Sequence, residues 1–180
     1  MKDNLIKTEM NVNNNKINVM RIGNEEYISL TDLARYADED DPRYNVGGFK
    51  IVPNMIGVIN TVDTTKPEKV GEELDKLLDL YNSRNTITLE DIIDFHFKFE
   101  RIHPFGDGNG RVGRIIMFKE CLKNNIVPFI VLDDDKSYYL RGLKEYENDK
   151  MFLIDTIKHE QDIYEKICAE LLSFDLNEKY

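Results

Sequence analysis

The chain of 180 residues has no tryptophan, two cysteines, five prolines and three histidines. Cys121 and Cys168 lie far apart and form no CxxC pair, so they build neither a disulfide framework nor a zinc site; buried, reduced thiols are the expectation. No run approaches the ~18 apolar residues of a membrane span. Met1 to Thr8 lacks the apolar core of a secretory signal, so the expected setting is cytoplasmic, with no membrane partner. Positive charge is also scarce. Lys plus Arg total 24 against 34 for Asp plus Glu, a net charge of −10, which argues against a general nucleic-acid binder because phosphate backbones need a basic field. Hydrophobic residues, at 41%, are too many for a disordered chain. A chain of this length buries ~70% of its unfolded surface and needs no metal or disulfide to fold.

The pattern predicts two parts, an N-terminal extension over residues 1–41 and a main domain over 42–180. In the extension, Ile17, Val19 and Arg21–Ile22 alternate, Gly23–Asn24 punctuates and Tyr27–Ile28 resumes, which predicts a hairpin. Asn-rich Met10–Lys16 reads as a turn, Ser29–Tyr36 as a short helix and Asp38–Pro42 as a loop. A second hairpin is expected, with Pro53–Asn54 between Val46–Val52 and Met55–Ile59. Helical periodicity then dominates. Thr65-Lys66-Pro67-Glu68 has the form of a capping box opening a helix to about Asn82. Thr88 and Asp91 cap the next, which carries Ile92, Phe95, Phe99 and Ile102, with Phe97 on a flank, and stops before Pro104. Further helices are expected at about 110–124, 136–147 and 149–172. The class is mainly α, with small β-hairpins near the start.

Between two strong helices lies Arg101-Ile102-His103-Pro104-Phe105-Gly106-Asp107-Gly108-Asn109-Gly110-Arg111-Val112-Gly113-Arg114. A helix–helix turn needs one glycine at most; this one interleaves glycines with an acid, an amide and two arginines. Glycines allow successive N–H groups to form an anion nest, and the helix behind adds its positive N-terminal end. Arg111 and Arg114 share a helical face and suit further phosphates. Asp107 is a hard oxygen ligand for Mg²⁺ beside phosphate oxygens, and His103 is the nearby group able to exchange a proton near neutral pH. Together they suggest nucleotidyl or phosphoryl transfer. An EF-hand is excluded, since Val112 stands where that loop needs glycine and Phe118 where it needs glutamate. A P-loop is excluded by the lack of a Lys-Ser/Thr pair.

The string from His103 to Arg114 resembles the signature of the Fic family, His-x-Phe-x-Asp/Glu-Gly-Asn-Gly-Arg-x-x-Arg, with every fixed position filled. The likeness extends from about Asn45 to Ile167. It implies a Fic-type helical domain with a β-hairpin flap at 46–58 that docks a target protein by strand addition. It also implies a protein adenylyltransferase: ATP on Gly106–Gly110, Mg²⁺ held by Asp107, and His103 as the base for a Ser, Thr or Tyr hydroxyl. Gly106, Gly108, Asn109, Gly110, Arg111 and Arg114 would bind the phosphates, with Phe105 as an anchor. In the kinase-like Doc branch the last loop glycine is lysine; Gly110 favours adenylylation.

Other residues read as structural. His96 is expected to be a packing residue, His159 a surface one, and Asp133–Asp135 a solvated loop. Tyr138, Tyr139 and Tyr146 fit either packing or contact with adenine or target. The opening hairpin weakly resembles KilA-N-type DNA-binding modules, which leaves a DNA-associated adaptor or a non-catalytic nucleotide sensor as rival readings. Many Fic proteins carry an inhibitory Ser/Thr-x-x-x-Glu-Gly/Asn segment aimed at the second motif arginine, here Arg114. Thr64–Glu68, Thr86–Glu90 and Thr156–Glu160 fit its first five positions only, and the tail has Asn177 where glutamate is wanted. A separate antitoxin chain, a degenerate brake or none at all are the options; the tail favours a chain that is not strongly self-inhibited.

Overall fold

The computed structural model describes residues 5–12, 15–22, 25–28, 48–56 and 62–177. The expected helix at 29–36, the loop at 38–42, the 41/42 boundary and the ends of the 46–58 hairpin fall outside these residues. The described chain forms two compact units, one joining the residues up to Asp75 with Glu100–Val112, the other joining Lys76–Phe99 with those from Gly113 on.

In the first unit, β1 (Leu5–Val12), β2 (Asn15–Ile22) and β3 (Glu25–Ile28) form an antiparallel sheet in the order β1-β2-β3. Leu5 pairs with Ile22, Val12 with Asn15 and Val19 with Ile28. The stretch expected as a turn from Met10 to Lys16 is therefore strand up to Val12 and again from Asn15. Ladder bonds are made by the main chain and are indifferent to the polar side chains of this stretch.

The second hairpin also differs from expectation. β4 (Met55–Ile56) pairs with β5 (Val62–Asp63), while residues 48–54 belong to no strand. Their polar groups go elsewhere: the Lys50 N–H donates to Pro104 O (2.8 Å) and the Asn54 amide to Phe105 O (2.8 Å). The expected cap at Thr65 is likewise replaced. Thr65 N–H donates to Arg101 O, and a single 3₁₀ turn, Pro67–Lys69, follows Lys66 without a side-chain cap. Proline still occupies the first turn, as its fixed φ allows. α1 (Val70–Asn82) follows.

The second unit is helical. α2 (Leu89–Ile102) begins at a reciprocal cap, Thr88 N–H to Asp91 Oδ2 (3.0 Å) and Asp91 N–H to Thr88 Oγ1 (3.2 Å), the pairing read from the sequence. α3 (Asn109–Lys123), α4 (Lys136–Glu145) and α5 (Met151–Asn177) follow, with Glu100–Ile102 of α2 and Asn109–Val112 of α3 belonging to the first unit. α5 runs past the expected stop at Leu172, where neither glycine nor proline interrupts it. Ile92, Ile93, Phe95, Phe99, Met117, Cys121, Leu153 and Ile157 are buried, each large side chain contributing ~1.5–3 kcal/mol. Tyr81 packs on Phe95 at 4.9 Å and donates to Glu120 at 3.0 Å. Gly142 of α4 is buried where an added Cβ would lie 2.8 Å from Leu153 Cα, so only glycine permits this approach.

Cys121 is a buried free thiol whose pKa burial raises to about 11. Cys168 is free but only half-buried, so the expectation of two buried thiols holds in full only for Cys121. His159 is exposed, as are Asp133 and Asp134. No helix among the described residues is long and apolar enough to cross a membrane.

Candidate active site

Pro104 cannot continue a helix, and α2 ends at Ile102. The next residue, His103, has φ 49°. For a residue with a side chain this left-handed backbone is disfavoured, so neighbouring contacts must hold it. Its Nδ1 lies 3.2 Å from the Glu100 carbonyl oxygen. A carbonyl can only accept, so Nδ1 carries a proton, and in the neutral imidazole Nε2 then keeps the lone pair. The Glu100 carboxylate is buried, with Oε2 3.6 Å from the same Nδ1.

Beyond His103 the loop closes on itself. The side chain of Asn109, 2% exposed, accepts from Phe105 N–H and donates to Phe105 O, both at 2.9 Å. Gly108 has φ 79°, a conformation that glycine supplies without strain. Its carbonyl accepts the Val112 N–H at 2.9 Å. The first-turn N–H groups of Asn109, Gly110 and Arg111 precede that bond and have no intrahelical acceptor four residues back. Phe105 is half-buried rather than a core residue, its ring 6.5 Å from that of Phe49. Gly106 is exposed.

Asp107 and Arg111 pair with each other, Oδ2 to Nη2 at 2.9 Å, with both side chains about two-fifths exposed. Such an exposed pair contributes little stability. Among the described residues no cluster of three or more His, Cys, Asp or Glu side chains could hold a metal alone. A half-exposed carboxylate beside the first-turn N–H groups of α3 fits Mg²⁺ shared with phosphate oxygens, and does not fit a metal caged by protein.

His103 to Arg111 thus lie together in one unit. Arg114 belongs to the other, where its guanidinium stands 5.9 Å over the ring of Tyr139. Tyr139 is buried, and its hydroxyl meets His96 Nε2 at 2.5 Å. The packing expected of His96 is therefore accompanied by a polar link.

Sequence reasoning missed Glu100, Lys50 and Asn54. Glu100 was open to detection, one helical turn before His103. Lys50 was not, since its partners at the loop stand 52 positions away in sequence. It is 3% exposed, and burial lowers its pKa to about 8.

The Fic/DOC family profile matches residues 32–121, half of the chain. The chain belongs to the Fic/DOC family. Among curated Fic relatives it is 32% identical to a probable protein adenylyltransferase of Aquifex aeolicus over 53% of this chain and 29% of that protein. It is 31% identical to protein adenylyltransferase fic-1 of Caenorhabditis elegans over 43% of this chain and 16% of that one. The chain thus spans less than a third of these relatives' length. Solved Fic folds resemble it: a Fic-domain signalling protein from Bacteroides thetaiotaomicron at TM-score 0.62 and 22% identity, covering 74% of this chain and 57% of that one. A Fic family protein from Desulfovibrio desulfuricans follows at TM-score 0.57 and 25% identity, covering 77% and 44%.

Proposed function

We propose that this chain is a protein adenylyltransferase, moving AMP from ATP to a hydroxyl of a target protein. The observation that carries the reading is the hydrogen bond from His103 Nδ1 to the Glu100 carbonyl, which leaves Nε2 free to act as a general base. His103 Nε2 takes the proton of a Ser, Thr or Tyr hydroxyl, whose oxygen bonds to the α-phosphorus. The α–β phosphoanhydride bond breaks and pyrophosphate leaves with its electron pair. The imidazolium so formed faces the buried Glu100 carboxylate 3.6 Å away, which stabilises it.

The N–H groups of Asn109, Gly110 and Arg111 bind phosphate oxygens at the helix N-terminus, with Gly106 and Gly108 allowing close approach. Asn109 shapes the loop with its side chain and contacts phosphate with its backbone. Arg111 and Arg114 take the β- and γ-phosphates. Asp107 would hold Mg²⁺, which when bound offsets phosphate charge; Asp107 must release Arg111 first. The target docks over the 46–58 segment, where Phe49, Ile51 and Val52 are 43%, 69% and 55% exposed. A cytoplasmic setting fits an ATP-dependent reaction.

The test is incubation with ATP labelled at either the α- or the γ-phosphate, with Mg²⁺ and a lysate. Transfer of α-label to protein is expected. Transfer of γ-label alone would replace this reading with the kinase reaction of the Doc type, and transfer of neither would leave a nucleotide-binding or DNA-associated adaptor.

A further inference from the structure

The left-handed backbone of His103 needs an external restraint, and the residues on either side of it share one. Lys50 Nζ donates to Ile102 O at 3.2 Å, and the Lys50 backbone N–H donates to Pro104 O at 2.8 Å. One residue thus grips the carbonyls immediately before and after His103. The Lys50 side chain is itself held: its ammonium also donates to Asn54 Oδ1 and Thr64 Oγ1, both at 2.6 Å. The Thr64 hydroxyl in turn donates to Asn54 O at 2.7 Å, and the Asn54 amide reaches Phe105 O at 2.8 Å. An ammonium has three protons, and here three acceptors meet them in a site 3% exposed. Although burial lowers its pKa to about 8, Lys50 is still mainly protonated at pH 7.

A buried lysine is unusual, since desolvating its charge is costly and an apolar side chain would fill the volume without that cost. Loop stability alone does not account for it. The Asn109 side chain already closes the loop at Phe105, whereas the two carbonyls that Lys50 grips are those whose orientation sets the His103 backbone.

We infer that Lys50 is a positioning residue for the general base: it fixes the left-handed backbone of His103 and thereby the direction in which Nε2 meets the incoming hydroxyl. The inference rests on the adenylyltransferase reading for its catalytic consequence, but not for its structural one. It goes beyond the family signature, which begins at His103. It also gives the 48–54 segment a second task beside target docking, so that displacement of this segment is felt at the base.

The experiment compares the full chain with Lys50→Met, which keeps length and backbone N–H but removes the ammonium, and Lys50→Arg, which keeps charge and donors. Thr64→Val is a milder variant, removing one of the ammonium's acceptors, should Lys50→Met fold poorly. Two readouts are taken, the carbon-13 relaxation of the His103 imidazole without nucleotide, and kcat and KM for ATP in transfer. In Lys50→Met the imidazole should gain motion and kcat fall tenfold or more, with KM for ATP within twofold. Lys50→Arg should recover kcat to within threefold of wild type, and Thr64→Val should fall between. Unchanged His103 relaxation in both Lys50→Met and Thr64→Val would overturn the inference, whatever the activity. So would kcat and KM changing in proportion with a collapsed melting temperature, the mark of a residue that only supports the fold. If the wild-type chain transfers no AMP, the functional reading fails, and the relaxation arm still decides the positioning role.

Discussion

The loop after α2 and the helical unit around Phe95 solve the problem of holding a backbone in opposite ways. Around His103 to Arg111 the restraints are polar and individually nameable: Lys50 on two carbonyls, the Asn109 side chain on both main-chain groups of Phe105, Asp107 on Arg111. Around Phe95 they are apolar and shared, with Ile92, Ile93, Met117, Leu153 and Ile157 buried together. Loss of one polar restraint should change geometry at one atom while leaving the fold standing. A change in the apolar core is spread over many contacts and appears as stability. Function and stability should therefore separate along this line.

The sharpest way to break the comparison is at His103. His103→Ala should lower transfer on the order of 10³-fold or more, as loss of a general base does, while the melting temperature and ATP affinity hold; labelled transfer, thermal melting and isothermal titration measure the three. Near-normal turnover would remove the base. Next is Asp107→Asn, which keeps the loop's shape but neutralises the carboxylate. Magnesium-dependent turnover should drop on the order of 100-fold, and stability should shift by less than ~1 kcal/mol, because the pair with Arg111 is exposed. A magnesium titration identical to wild type would free Asp107 of that role.

In the helical unit the expected effects reverse. Gly142→Ala puts a methyl 2.8 Å from Leu153 Cα, which should cost ~1–3 kcal/mol, seen as a lower urea midpoint. A neutral or stabilising result would mean that α4 and α5 slide apart freely. The smallest effect concerns Glu160, which is fully buried, with neither carboxylate oxygen in a hydrogen bond of ordinary geometry. Burial raises its pKa and Asp135 adds to the rise, while the nearby Leu132 N–H pulls the other way. A carboxyl with a raised folded pKa holds more protons folded than unfolded, so its stabilisation is present at low pH and lost as pH rises through the folded value. Glu160→Gln should therefore raise the melting temperature by ~2–4 °C at pH 8 and by less at pH 5. A variant with the same gain at both values would disprove the titration.

The two regions also differ in how far they could be read in advance. The Thr88–Asp91 cap and the stop at Pro104 are local in the chain, and both stand where the residues placed them. The nest residues are contiguous, so His103 to Arg111 were legible as a cluster before any fold was known. What escaped is non-local. The 48–54 segment reads as a strand by its Val and Ile content, yet its polar groups turn to Pro104 and Phe105, and β4 finds its partner at Val62–Asp63 instead. Lys50 gave no periodic signal. Tyr139 was readable as aromatic, but its placement between His96 and Arg114 depends on helix packing, which a single sequence does not encode locally.

That placement gives Gly142 a reach beyond its own helix crossing. It lies three residues after Tyr139 in α4, on the same helical face, so the depth to which α4 settles against Leu153 also sets the height of the Tyr139 ring beneath the Arg114 guanidinium. A missing side chain here acts as a spacer of fixed thickness. Filling it would tilt the aromatic seat under Arg114, so on the proposed reading, which gives Arg114 a phosphate, a substitution far from the loop should register as a change in nucleotide affinity.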